Sequence, residues 1–139
     1  AIDPWSGDRG CGASYLSQDA AIRLAGMEAD DSLTPAEKLT RIQQHMAEGD
    51  PQMRRVYESL GVYLGYAIAE YAWLYDIRHV LTMGRVTSGP GGEILMDAAR
   101  AVLKTDFPQL AEQLELHLPD EAGRRIGQSI AAARLVNLN

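Results

Sequence analysis

From Ser59 to Tyr75 the chain reads SLGVYLGYAIAEYAWLY, an apolar run in which the small residues Gly61, Gly65 and Ala69 fall at every fourth position. That spacing places all three on one helical face. Upstream, Asp50-Pro51 supplies a helix N-cap followed by proline at the first helical position, so one helix is predicted from there to about Tyr75. Its length would be about 38 Å at ~1.5 Å per residue. Interior glycines cost about 1 kcal/mol each relative to alanine, so a neighbour must pack closely against this face. The spacing leaves open whether that neighbour is an ordinary packed helix, the centre of a lobe or a dimer contact. Tyr63, Tyr66, Tyr71, Trp73 and Tyr75 on the same helix read as core and interface side chains, because no basic groove accompanies them.

The period differs on either side of this spine. Residues 1–16 are rich in Gly, Asp and Ser without periodicity and read as loop. Ser17 can cap a short helix, with Asp19 in its first turn and Gly26 placed to end it. Thr34-Pro35-Ala36-Glu37 forms a capping box, and Leu39, Ile42 and Met46 then give one apolar face before Gly49. After the spine, HVLTM at residues 79–83 has strand character, and Glu93 to Lys104 is helical again, with Ile94, Leu95, Ala98, Ala101 and Val102 on one side. A second strand is legible in LELHL, where Leu114, Leu116 and Leu118 alternate with Glu115 and His117. Pro119 ends it, and Asp120 caps a closing helix whose Gly127, Ser129 and Ala131 to Ala133 allow close packing. The expected organisation is a single domain: loop at 1–16, a helical part at 17–78 and a β-α-β-α part at 79–139.

Composition narrows the classes. At 139 residues the chain is long enough for a real core, with 46% hydrophobic and 23% charged residues in the ordinary globular range. A net charge of −6 argues against a polyanion partner. The apolar run at 59–75 is short for a bilayer and carries Glu70 near its middle, so a buried soluble helix is the reading. The lone Cys11 excludes an intrachain disulfide and fits a reducing compartment, and AIDPWSGDRG lacks the features of a secretory signal, so a cytoplasmic location is expected.

Chemistry concentrates in one loop. Gly84, Gly89, Gly91 and Gly92 lie between the first strand and the next helix, where free N–H groups and the helix macrodipole favour an anion. The pattern is neither GxGxxG nor a Walker A sequence, since Pro90-Gly91 stands where Lys and Ser or Thr would be required. A plain glycine-rich turn is the competing reading. His45 lies on a predicted helix with no second ligand at i+4, His79 opens a strand and His117 sits on the polar face of a strand, so none is expected to make a metal set. Cys11 lacks a histidine partner for nucleophilic chemistry.

Three segments resemble the ROK family of bacterial sugar kinases and sugar-responsive repressors, members of the actin-like ATPase superfamily. GDRGCGASYLSQDAAIRLA looks like the family's stretch after its zinc-binding cysteines, LGVYLGYAIAEYAWLYDIRHVLTMGRVTSG like its long helix, strand and adenosine-side glycine loop, and GRRIGQSIAAARL like its closing helix. The resemblance covers nearly the whole chain, as the family's C-terminal part. It implies an α/β, helix-rich fold: a partial actin-like ATPase (ribonuclease H-like) lobe with a long central helix and a C-terminal β-α-β-α unit. It also implies the adenosine side of an ATP site, with Gly84, Arg85, Thr87, Ser88, Gly89, Gly91 and Gly92 as the nucleotide-binding residues. The parent would transfer phosphate from ATP with Mg to a sugar hydroxyl. The family's phosphate loop and catalytic aspartate lie upstream of everything present, so no residue here is assigned a catalytic role and the chain alone is expected to be inactive.

Three departures qualify the resemblance. Of the family's one histidine and three cysteines that hold zinc, only Cys11 has a counterpart, so no zinc is expected. Ala13 stands where the family has its sugar-contacting glutamate, and Arg85 where it usually has another glycine. Two alternatives therefore remain open: a non-catalytic sugar sensor or transcriptional regulator, or a helical self-association domain without ligand. Because two strands make only a marginal sheet, the chain is expected to form a homodimer or to dock on a missing N-terminal part.

Overall fold

The computed structural model of the protein describes Ile2, Asp3, residues 5–120 and Gly123. Five helices and two strands follow in order: α1 (Gln18–Leu24), α2 (Pro35–Ala47), α3 (Pro51–Leu74), β1 (His79–Leu81), α4 (Pro90–Asp106), α5 (Pro108–Ala111) and β2 (Glu115–His117). The described part is thus helix-rich α/β. No helix among the described residues is long and apolar enough to cross a membrane.

The helix starts are set by short-range hydrogen bonding. Ser17 Oγ accepts from the Asp19 N–H, Thr34 and Glu37 make a reciprocal capping box, and Asp50 accepts from the N–H groups of Gln52 and Met53. Thr34's hydroxyl and backbone N–H both donate to Glu37, which holds that carboxyl below the ordinary carboxylate range. Gly26 and Gly49 follow α1 and α2 with φ of 71° and 91°.

α3 is the spine, 24 residues and about 36 Å long. Its glycine face meets α4. A Cβ built on Gly61 would lie 2.2 Å from the Leu95 carbonyl oxygen and 2.6 Å from the Ala98 Cβ; one on Gly65 would lie 2.8 Å from the Val102 Cβ. The close neighbour required by the i, i+4 glycines is therefore a helix of the same chain, and this face is closed to a dimer partner. Tyr57, Leu60, Leu95 and Met96 join Ile42 and Met46 of α2 and Ala20 to Ile22 of α1 in the main core. Ile68, Ala69 and Leu103 form a second cluster over which Val80, Leu114 and Leu116 pack.

The two strands run parallel, with His79 opposite Glu115, Val80 opposite Leu116 and Leu81 opposite His117. Val80 and Leu116 face the helices; the outer residues of each strand are exposed. The expected alternation of β2 holds, although the paired segment is only three residues long. Helix α4 is longer than the Glu93–Lys104 span expected from periodicity, because Pro90, Gly91 and Gly92 form its first turn. Aromatics of the spine divide. Tyr63 stacks edge-on against Tyr15, with ring centroids 5.4 Å apart, and Tyr66 meets Phe107 at 5.9 Å while donating to Asp106 at 2.6 Å. Trp73, Leu74 and Tyr75, at the end of α3, are exposed. Asp120 Oδ1 accepts from the Gly123 N–H at 2.6 Å, the geometry of a cap. The remainder of the expected closing helix, with Gly127, Ser129 and Ala131 to Ala133, lies outside the described residues.

Candidate functional site

The glycine-rich loop leaves the carboxyl end of β1 and enters α4, so strand, loop and helix N-terminus stand in the order an anion site uses. Two of its glycines are required by the backbone. Gly84 has φ 124° and Gly89, the N-cap of α4, has φ 71°; both are exposed, with nothing within 4 Å of a built Cβ. Between them Arg85–Thr87 makes one 3-10 turn, braced from both ends. Thr87 Oγ1 donates to the Gly84 carbonyl at 2.9 Å, and the Gln43 amide of α2 donates to the Arg85 carbonyl at 2.7 Å.

Gly91 and Gly92 play a different part. Both are buried: a Cβ on Gly91 would strike the Tyr57 ring at 2.5 Å, and one on Gly92 the Thr87 carbonyl oxygen at 2.1 Å. They seat the first turn of α4 on the spine helix and on the loop itself. Of the seven residues expected at a nucleotide, Gly84, Arg85 and Gly89 are exposed and Ser88 is half-buried, whereas Thr87, Gly91 and Gly92 are interior.

Tyr57, fully buried under this turn, has a hydroxyl that makes no hydrogen bond of ordinary geometry among the described residues, with the Gln43 side chain as a polar neighbour. Burial pushes its pKa from the ordinary 10.0 up to about 12, with the Gln43 side chain pulling the other way. Beside the loop a cleft of about 240 Å³ is lined by Leu60, Leu64, Val80, Thr82, Met83 and Val86 among others. The Thr82 hydroxyl is also buried and without a partner among the described residues. The loop therefore borders an apolar cleft whose lining includes Thr82.

A second group of side chains comes together on the outer face of the sheet. His79 Nδ1 lies 3.1 Å from His117 Nε2 and 3.5 Å from Glu115 Oε2, and His117 Nε2 lies 3.6 Å from the same carboxylate oxygen. The parallel register causes this, since His79 sits directly opposite Glu115 and diagonal to His117, all three on the outward face. The expectation that no histidine joins a metal set is corrected in its premise: His79 and His117 share one site. Only pairing supplies the signal, because 38 residues separate them along the chain. His45 stays apart, on α2, and Cys11 is half-buried before the short 3-10 turn Gly12–Ser14.

No protein-family model, curated protein or solved structure matches this chain.

Proposed function

We propose that the chain is the nucleotide-side lobe of a ROK-like sugar kinase, contributing the adenosine end of an ATP site and inactive by itself. The observation that supports this reading is the placement of the braced Gly84–Gly89 loop between the carboxyl end of β1 and the N-terminus of α4, in a parallel β-α-β unit. Ligands of open α/β sheets bind at that end of the strands. On this reading the exposed backbone at Gly84 and Gly89 and the side chains of Arg85 and Ser88 face the nucleotide. Thr87, Gly91 and Gly92 hold the loop's shape from behind, and the apolar cleft with Thr82 receives part of the adenosine. Mg and the phosphates belong with the absent half of the cleft, as does the base that acts on the sugar hydroxyl.

The same reading extends to assembly. The outer sheet face and the exposed Trp73, Leu74 and Tyr75 would be covered by the parent's other lobe or by a second copy, in that case a homodimer through these surfaces. Adding ADP to the protein and following backbone amide signals tests the nucleotide site. Shifts at Gly84, Arg85, Ser88 and Gly89 are expected, weak because half the contacts are missing. Shifts confined to other parts of the chain would overturn the assignment.

A further inference from the structure

We propose that His79, Glu115 and His117 form a binding site for one divalent transition-metal ion of the zinc class, clamping β1 to β2. The inference stands on the strand pairing and not on the nucleotide reading. Zinc bound tetrahedrally by nitrogen and oxygen at ~2.0–2.2 Å has ligand atoms about 3.3–3.6 Å apart. The three donor atoms here are separated by 3.1, 3.5 and 3.6 Å, so they already outline one face of such a tetrahedron. An ion placed just above that face would reach all three with little side-chain movement. Two imidazoles and one carboxylate are the ligand types that borderline ions prefer, and an all-oxygen set for Mg or Ca is not present in the trio.

The backbone holds the donors in register. Glu115 N–H donates to the Arg78 carbonyl at 2.8 Å and Thr82 N–H to the His117 carbonyl at 3.0 Å, bracketing the trio with main-chain hydrogen bonds. Side-chain exposures of 66% for His79, 69% for Glu115 and 46% for His117 leave an open path for the ion and a free fourth position for water or an incoming donor. That openness, with no buried group among the described residues fixing the outer imidazole nitrogens, makes affinity weaker than at a closed structural site. Without metal, the 3.1 Å His79–His117 contact needs one ring to donate and the other to accept. With metal, both lone pairs point inward, His79 ligating through Nδ1 and His117 through Nε2.

The experiment is calorimetric titration of the chelator-stripped, desalted full chain with zinc chloride, repeated on H79A, H117A, E115Q, and on H45A and C11S as controls. Circular dichroism verifies that each variant is folded, which the exposure of the trio favours. One ion per chain is expected, with H79A and H117A each weakening binding by more than about tenfold, since losing a ligand should cost at least what losing its orienting partner costs. H45A and C11S should leave binding unchanged. In the wild-type protein, zinc should move the side-chain nitrogen resonances of His79 Nδ1 and His117 Nε2 together, and should raise the melting temperature, an effect that H79A removes. Absence of stoichiometric binding would mean a hydrogen-bonded trio without metal and would overturn the proposal. So would zinc binding that survives H79A and H117A, or that is lost in H45A or C11S instead.

Discussion

Replacing Gly61 with alanine tests the packing on which the whole fold rests. The added Cβ would lie 2.2 Å from the Leu95 carbonyl oxygen, 2.6 Å from the Ala98 Cβ and 3.0 Å from the Leu95 carbonyl carbon. Two of those atoms are backbone in the middle of α4, so no side-chain rotation relieves the clash and the two helices must separate. Overpacking of this kind costs about 3 kcal/mol at the upper end of its usual range. Better helix propensity returns about 1 kcal/mol. A net loss of about 2 kcal/mol follows, which for a chain of this size lowers the melting temperature by about 4–8 °C. Urea denaturation followed by circular dichroism gives the free energy, and Gly12→Ala serves as control, because a Cβ there meets only the Tyr71 hydroxyl at 3.7 Å. If Gly61→Ala were as stable as the wild type or more so, propensity alone would govern and the α3–α4 contact would be looser than described.

Asp50→Ala removes the acceptor for two N–H groups at the start of the spine and should cost about 1 kcal/mol by the same denaturation assay. Tyr57→Phe deletes a buried hydroxyl that makes no hydrogen bond of ordinary geometry among the described residues, and its neighbour Gln43 keeps its bond to the Arg85 carbonyl, so the change should be neutral or stabilising, in contrast to the usual cost of core substitutions. The same residue gives a pH dependence. Its folded pKa, raised to about 12, exceeds the ordinary 10.0, so the unfolded chain loses this proton first and binds fewer protons above pH 10. Stability present below pH 10 should therefore fall as the pH rises towards 12, by an amount on the order of 3 kcal/mol from this group. Tyr57→Phe should flatten that fall, as read from denaturation midpoints across the range; an unchanged fall would show that another group is responsible.

Local signals made much of the helical part legible. Ser17, Thr34 and Asp50 cap where their hydrogen-bonding side chains and the following sequence indicate, and Gly61 and Gly65 require the close approach that their spacing demands. The identity of the neighbour was not legible, because a stripe of small residues states a distance and not a partner. The start of α4 was misplaced for a similar reason. Glycines at 91 and 92 disfavour helix intrinsically, yet the Tyr57 ring and the Thr87 carbonyl occupy the space where side chains would stand, and tertiary packing overrides propensity. Glycine richness in the loop thus has two origins, backbone conformation at Gly84 and Gly89 and packing at Gly91 and Gly92. The His79–Glu115–His117 group escaped altogether. The outward face of β2 was readable by alternation, whereas that of β1 was not, since Val80 and Leu81 are both apolar, and the trio exists only once β1 and β2 are paired in parallel with His79 opposite Glu115. A one-residue slip would reverse one strand's faces and disperse the trio.

Both functional readings depend on that pairing, which places the glycine loop at the carboxyl end of a parallel strand and gathers the three outward side chains. Scalar coupling across backbone hydrogen bonds, measured by nuclear magnetic resonance on the labelled chain, reports it directly. Coupling is expected from the Glu115 amide to the Arg78 carbonyl and from the Thr82 amide to the His117 carbonyl, the bonds found at 2.8 Å and 3.0 Å. Coupling of these amides to other carbonyls, or their rapid exchange with solvent as unpaired groups, would contradict the pairing.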